Sequence, residues 1–195
     1  MAGDQVAATL EGFKALYKKV EQMQVPSFAS KCATQVSIDY MQQKDWDNSL
    51  LWGRKTLSMA KNQSDYSSAS DAAKSVALCM WDKITHTEIP SREDIKELIA
   101  FLSTWAESDG RSGILINQID KYGLLSNAEI LYARRFDDVD KSEASKRRLS
   151  WLQKAERLLE SLLEEERIIN MAKIKFKSYD AYYILNDYST AIDYL

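Results

Sequence analysis

Glycine and proline are scarce in this chain, which has 6 glycines and 2 prolines among 195 residues. Turns and hairpins depend on these two residues, so their scarcity argues against a strand-rich fold and favours long helices joined by short loops. Intrinsic disorder is not expected either, because disordered chains are poor in aromatic residues and 10% of the residues here are aromatic.

Cysteine and histidine are rarer still, with Cys32, Cys79 and His86 as the complete set. The cysteines form no CxxC pair and the histidine has no second ligand close by, so the usual zinc spacings are absent. Neither a glycine-rich phosphate loop nor a complete calcium loop is present. We therefore predict a non-enzymatic, reduced intracellular protein without metal or cofactor, and a Cys32–Cys79 disulfide is the alternative for the thiols.

No long apolar run and no excess of one charge stand out. No segment approaches the roughly 18 apolar residues that a membrane span needs, and the start MAGDQVAATL lacks the features of a signal peptide. The net charge is −3, which does not indicate nucleic-acid binding. The segment Lys141–Lys177 has ten basic residues against six glutamates and is therefore suited to an acidic partner.

Apolar residues recur at helical spacing along nearly the whole chain, which predicts an all-α protein of seven to eight helices. The glycine-containing segment SDGRSG (108–113) predicts a boundary between a first bundle, 1–108, and a second, 109–195. Two clean apolar stripes run through 45–87, so we expect ordered helices there, with a loop at 62–68. No short repeat period is evident, and a repeat solenoid is not predicted.

The stretch PSFASKCATQVSIDYM, beginning at Pro26, predicts a helix with a narrow face of small residues. Proline suits the first turn of a helix, and small side chains allow a second helix to approach closely. We expect Cys32 to be a buried thiol packed against the first helix, because free cysteine behaves as a small hydrophobe. The expected buried stripe has four-residue spacing and consists of Phe28, Cys32, Val36 and Tyr40, with Ala29 and Ala33 beside it.

The same stretch resembles the start of the N-terminal domain of the LYST-interacting-protein / vacuolar-sorting activator family. There a helix opens with P-x-x-A-x-x-C, as Pro26, Ala29 and Cys32 do here. Relative to that pattern, the additional length of this chain falls within 45–87, which we interpret as an insertion.

Further matches to this family follow in the second half of the chain and in the same order. Phe136–Asp140 resembles the family's acidic turn, and Ser150-Trp151 followed by Ala155 resembles the helix after it. Lys175–Ser178 resembles its basic–aromatic–basic segment.

The family consists of ESCRT cofactors that regulate the AAA ATPase responsible for disassembling ESCRT-III. The resemblance implies two packed MIT-like helical bundles that bind C-terminal helices of ESCRT-III subunits in grooves between helices. It further implies an adaptor in multivesicular-body sorting that acts on the ATPase indirectly. We expect a cytoplasmic protein that is recruited to endosomes and reaches the membrane only through partners.

We predict the partner-binding residues within the basic segment as Trp151, Lys154, Phe176 and Lys177, which pair large aromatics with cations. Tryptophan is enriched at interface hot spots, and lysines steer acidic ligands. Trp151 lies beside the apolar stripe of its helix and is well placed for exposure. For Phe176 a core position is the simpler interpretation, because it shares an apolar stripe with Ala172, Tyr179 and Tyr183.

Two other functions stay open. One is a helical interaction scaffold or effector unrelated to ESCRT, and the other is a nucleic-acid-binding helical protein, indicated by the paired arginines at 134–135 and 147–148. Binding of ESCRT-III tails separates the adaptor from both, and a salt-dependent shift on RNA or DNA would favour the last.

Overall fold

The computed structural model describes the backbone of residues 2–62, 65–108 and 115–194, with side chains throughout except at 2–8 and 106–108. Within these ranges the chain is all-α, with nine helices and no strand, as the sequence predicts. The helices are α1 (Ala2–Gln22), α2 (Pro26–Gln42), α3 (Trp46–Asn62), α4 (Tyr66–His86), α5 (Arg92–Ser108), α6 (Leu115–Arg135), α7 (Lys141–Leu159), α8 (Glu164–Ile184) and α9 (Tyr188–Ile192).

Two compact units divide the chain, Met1–Glu88 with α1 to α4 and Ile89–Leu195 with α5 to α9. This differs from the boundary expected at 108/109, which assigns α5 to the first bundle. In the structure α5 packs on α6, so it belongs to the second unit. Residues 109–113 of the SDGRSG segment lie outside the described residues.

Within each of the two units, helices pack chiefly on their neighbours in the chain. Connections of only three residues, such as 23–25 and 43–45, force the neighbouring helices into antiparallel hairpins. The stretch 45–87, expected to be an ordered helical insertion, consists of α3 and α4, and α3 packs on both α2 and α4. These two helices are therefore integral to the first unit. Residues 63 and 64 of the predicted loop at 62–68 lie outside the described part.

The small-residue face of α2 is buried as expected. Cys32 is 3% exposed and shares a cluster with Ala29 and Ala33 of α2 and with Tyr17 and Val20 of α1. This confirms that Cys32 is buried against the first helix. Both cysteines are free thiols, and burial raises the pKa of each.

One position of the expected α2 stripe is wrong. Phe28 is 47% exposed, and its place against α1 is taken by Ala29. Adjacent residues lie about 100° apart on a helix, so the rotation of α2 that places Ala29 against Tyr17 and Val20 turns Phe28 toward solvent.

The contact between α2 and α3 is close enough to exchange side-chain-to-backbone hydrogen bonds. The Ser37 hydroxyl donates to the Ser49 carbonyl at 2.7 Å, and the Ser49 hydroxyl donates to the Ser37 carbonyl at 2.8 Å. Gly53 lies one turn further along α3, where a Cβ atom would be 2.9 Å from Cγ2 of Val76 on α4 and 3.2 Å from Oγ of Ser37. Small residues thus set the spacing of three helices.

Three connections end their first helix in the same way, with a central residue at positive φ. The amide of the third residue donates to a carbonyl five residues earlier, and the central amide to one three residues earlier, which is the Schellman geometry. The central residues are Gln24 (φ 55°), Lys44 (φ 59°) and Asn186 (φ 60°). Glycine is the usual occupant of this position, and none of the three turns has it.

A short motif begins three of the helices, α3, α4 and α9. In each, an aspartate caps the helix, an aromatic residue follows, and a small residue four positions after the aspartate is buried. The motifs are Asp45-Trp46 with Ser49, Asp65-Tyr66 with Ala69, and Asp187-Tyr188 with Ala191. The small residue allows close helix packing, which explains why the same helix start is used three times. The spacing between the three motifs along the sequence is not constant.

Replacing Lys44 with glycine should raise the free energy of unfolding by up to about 1 kcal/mol, because a left-handed conformation strains any residue with a Cβ atom. Gln43 is the matched control, since it lies in the same turn at φ −82°. Gln43→Gly should instead lower stability by roughly 0.5–1 kcal/mol. Urea unfolding of both variants measures the effect, and a loss of stability in Lys44→Gly would contradict it.

Candidate partner-binding site

Trp151 is packed between helices instead of lying free on the surface. Its ring is half-buried and stacks on Tyr122 of α6, with 5.9 Å between centroids and 19° between planes. Lys154, one turn further along α7, places Nζ 4.3 Å from the centroid of the Trp151 ring. The indole Nε1 is buried without an acceptor in the described part of the chain. This pair therefore serves the α6–α7 contact first.

Lys177 also serves the fold. Its Nζ donates to the Gly123 carbonyl of α6 at 3.0 Å, and burial lowers the pKa of the ammonium. A Cβ atom on Gly123 would approach that Nζ to 3.1 Å, so the glycine makes room for the lysine. A lysine committed to a backbone carbonyl in this way is poorly placed to receive an acidic tail.

Phe176 is the predicted site residue with the greatest exposure, at 68%. Its proposed core stripe on α8 is therefore wrong, because the buried face of that helix consists of Asn170, Ile174, Ser178 and Ala181. Two of these four are polar, and three are small or polar enough to let α8 lie close to its neighbours. Apart from Ile174, the large aliphatic and phenylalanine side chains at the outer face, Ile168, Ile169 and Phe176, are exposed.

An open groove of about 440 Å³ runs along this outward face of α8. Its floor is apolar and covers three successive helical turns, and Tyr194, just after α9, closes one side. The lining residues are Arg167, Ile168, Met171, Ala172, Lys175, Phe176 and Tyr194. Of the four predicted site residues, the groove includes Phe176 but not Trp151, Lys154 or Lys177.

The charges that line the groove are both positive. Arg167 and Lys175 are exposed, and neither forms a salt bridge with an acidic residue of the described chain. An acidic group on a ligand would therefore meet two cations that have no competing partner. The groove thus combines an apolar row with flanking positive charge. The sequence predicts the same combination for the partner-binding site, but at a set of residues that shares only Phe176 with the groove.

A buried ion pair holds α8 against the core of the second unit. Arg148 of α7 is 4% exposed and donates to Asp180 Oδ2 of α8 at 2.5 Å and to Ser126 Oγ of α6 at 3.0 Å. Burial lowers the pKa of this guanidinium, and the Asp180 carboxylate acts in the opposite direction. The exposed Arg134 contacts the second oxygen of Asp180 at 3.5 Å. These bonds fix the rotation of α8 about its axis and so determine which of its faces is exposed to solvent.

The sequence does not predict Ile168 and Met171 as site residues because α8 is apolar on more than one side. Tyr194 is not predicted because it reaches the groove from beyond α9. Asn170 and Ser178 resemble surface residues, so the opposite face was assigned to the core. A usable signal was present in the adjacent pair Ile168-Ile169, since two neighbouring residues lie about 100° apart on a helix and cannot share one narrow stripe.

The described residues outside the groove provide little evidence for a metal site or a membrane-spanning segment. His86 is exposed, and its Nδ1 lies 3.1 Å from Asp82 Oδ1. The described residues contain no cluster of three or more potential metal ligands. None of the helices in the described ranges is both long enough and apolar enough to cross a bilayer.

Comparison of the chain with models of known protein families and with curated proteins gives no match. The resemblance to the LYST-interacting family thus depends on the short motifs alone.

Proposed function

We propose that this chain is a non-enzymatic protein-interaction module whose α8 groove binds an amphipathic helix with acidic residues beside its apolar anchors. The observation that supports this most directly is the apolar row on α8, with Ile168 61% and Phe176 68% exposed and each adjacent in sequence to a cation, Arg167 and Lys175 respectively. Exposed apolar patches bordered by polar residues commonly mark interaction sites.

The physical mode is helix-in-groove recognition, in which anchors at i, i+3, i+4 and i+7 of the ligand enter an apolar groove. Removing a large apolar side chain from water contributes roughly 1.5–3 kcal/mol. Two such side chains on α8 therefore contribute about 3–6 kcal/mol. This is less than the roughly 8 kcal/mol of a micromolar complex, so the other apolar residues of the groove must add to the affinity. The flanking cations add specificity for acidic helices and make the association salt-dependent.

The motif resemblance makes the C-terminal helices of ESCRT-III subunits the first ligands to test. On this proposal the protein is an ESCRT-associated adaptor in endosomal sorting that influences the disassembly ATPase indirectly. A helical scaffold unrelated to ESCRT would use the same groove for a different acidic helix.

Ile168→Ala should weaken binding of the recognised helix at least ten-fold, because the side chain lines the groove. Ile169→Ala is the matched control, since this neighbour is 59% exposed but does not line the groove, and it should leave affinity within about two-fold. Fluorescence anisotropy with labelled peptides of ESCRT-III C-terminal helices measures both. The melting temperature of each variant should stay unchanged.

The outcomes separate the candidates. Binding of ESCRT-III peptides with a selective loss in Ile168→Ala supports the adaptor. Selective binding of a designed acidic amphipathic helix, but of no ESCRT-III peptide, supports the unrelated scaffold. Equal losses in both isoleucine variants, or no binding of any acidic helix, would contradict the groove as the site.

A further inference from the structure

The turn between α1 and α2 presents large apolar side chains to solvent. Met23 is 64% exposed, Val25 41% and Phe28 47%, within six consecutive positions of the chain. The turn joins two packed antiparallel helices and therefore forms a convex tip of the first unit. A convex apolar tip is poorly suited to receiving a helix, which needs a groove.

Lysines lie one helical turn behind this tip on both helices. Lys19 precedes Met23 by four residues on α1, and Lys31 follows Phe28 by three on α2, so each lysine shares a face with an exposed apolar residue. Both lysines are exposed, as is Lys18. One turn is about 5.4 Å, so these ammonium groups form a positive collar directly behind the apolar tip.

Glu21, the acidic residue closest in sequence to Lys18 and Lys19, is engaged elsewhere. Glu21 accepts a hydrogen bond from the Tyr17 hydroxyl at 2.5 Å and lies 3.9 Å from Lys55 Nζ on α3. The contacts of Glu21 are thus made with Tyr17 and with a lysine outside the collar.

The backbone of the tip is already hydrogen-bonded, which lowers the cost of removing it from water. The amides of Met23, Gln24, Val25, Phe28 and Ala29 donate to carbonyls within the hairpin at 3.0–3.2 Å. Pro26 has no amide to satisfy. Unpaired backbone groups are the main obstacle to placing a loop in an apolar environment, and here five donors have internal partners.

A second turn of the same geometry has the opposite character. The turn from α2 to α3 repeats the positive-φ residue and the Schellman bonds, yet its residues are Gln43, Lys44 and Asp45. Hairpin geometry therefore does not require the apolar residues at 23–28. Their exposure at one turn calls for an explanation other than folding.

We propose that the α1–α2 tip inserts into the surface of a membrane that contains anionic lipids, with Met23, Val25 and Phe28 among the acyl chains and Lys18, Lys19 and Lys31 at the phosphate level. An apolar face that enters 5–10 Å while basic residues stay at the headgroups is the known mode of interfacial binding. The spacing of about one helical turn along the backbone between each apolar residue and the lysine behind it is compatible with this depth. This site is separate from the α8 groove and differs from the expectation that the membrane is reached only through partners.

Vesicle sedimentation with the complete chain tests the proposal. Phosphatidylcholine vesicles containing 30% phosphatidylserine, about the anionic content chosen to attract polybasic surfaces, should bind the protein, and pure phosphatidylcholine vesicles should bind it at least ten-fold less. Phe28→Gln with Met23→Gln should reduce binding at least ten-fold, and Lys19→Glu with Lys31→Glu should reduce it similarly. Leu51→Gln is the matched control, because Leu51 is 63% exposed on α3 away from the tip, and it should bind as the parent does.

Circular dichroism should show the same melting temperature for all variants, since the substituted side chains are exposed. Absence of binding to the anionic vesicles would overturn the proposal and would leave an acidic protein surface as the ligand class for the collar. Binding that survives the apolar tip variants, or that is lost equally in Leu51→Gln, would also overturn it.

Discussion

Asp180→Asn should lower the free energy of unfolding of the second unit by about 3 kcal/mol, because it leaves a buried arginine without its counter-ion. Arg148 is almost completely enclosed, and Asp180 is the carboxylate that it contacts, at 2.5 Å. The substitution keeps the shape of the side chain and removes only its charge. Urea unfolding followed by tryptophan fluorescence measures the change, and a loss below about 1 kcal/mol would contradict this assignment.

The matched controls use the two arginines that share this carboxylate. Arg134 is 60% exposed at its side chain and contacts Asp180 at 3.5 Å, so Arg134→Met should cost less than about 1 kcal/mol. In an Arg148→Met background, Asp180→Asn should become nearly neutral, because no buried charge remains to be compensated. Equal effects of Asp180→Asn in both backgrounds would show that the buried pair is not the cause.

Gly53→Ala should destabilise the first unit by about 2 kcal/mol, because the added methyl group has no space. Its Cβ atom would lie 2.9 Å from a methyl group of Val76 and 3.2 Å from the Ser37 hydroxyl, and the latter already bonds the Ser49 carbonyl. Neither neighbour is the free end of a long side chain, so three helices must separate slightly. Thermal or urea unfolding detects the loss.

Gly12→Ala is the control for this prediction. Gly12 lies on the exposed side of α1, and nothing comes within 4 Å of an added Cβ atom. Here alanine should stabilise by about 0.5–1 kcal/mol, since glycine disfavours a helix interior. The two substitutions are chemically identical, yet their effects on the free energy of unfolding should have opposite signs because their surroundings differ. Stabilisation by both would mean that the α2–α3–α4 contact is looser than the distances indicate.

The contrast between α2 and α8 shows what the sequence could and could not predict. In α2, the small residues Ala29, Cys32 and Ala33 coincide with the buried face, and helical periodicity identifies it correctly. In α8, polar Asn170 and Ser178 are buried while Phe176 is exposed. Periodicity measures the polarity of a face, and it fails where small polar residues are selected for close packing.

The division between the two compact units differs from the expected boundary at 108/109 for a related reason. Glycines in SDGRSG gave a strong local signal, whereas the division at Glu88/Ile89 depends on which helices pack together and has no glycine to mark it. The roles of Lys177 and Trp151 were likewise beyond sequence reasoning. Both depend on a neighbouring helix, since Lys177 needs the Gly123 carbonyl and Trp151 needs the Tyr122 ring.

Packing of each helix on its neighbours in the chain has a consequence for how this protein folds. Contacts between consecutive helices close only short loops, so the entropic cost of forming them is small and folding should be fast. During synthesis, α1 can pair with α2 before α3 has been made, and the Schellman turn at Gln24 completes that hairpin from local bonds alone. The polypeptide can therefore acquire its structure in the order in which it leaves the ribosome, with little apolar surface waiting for distant partners.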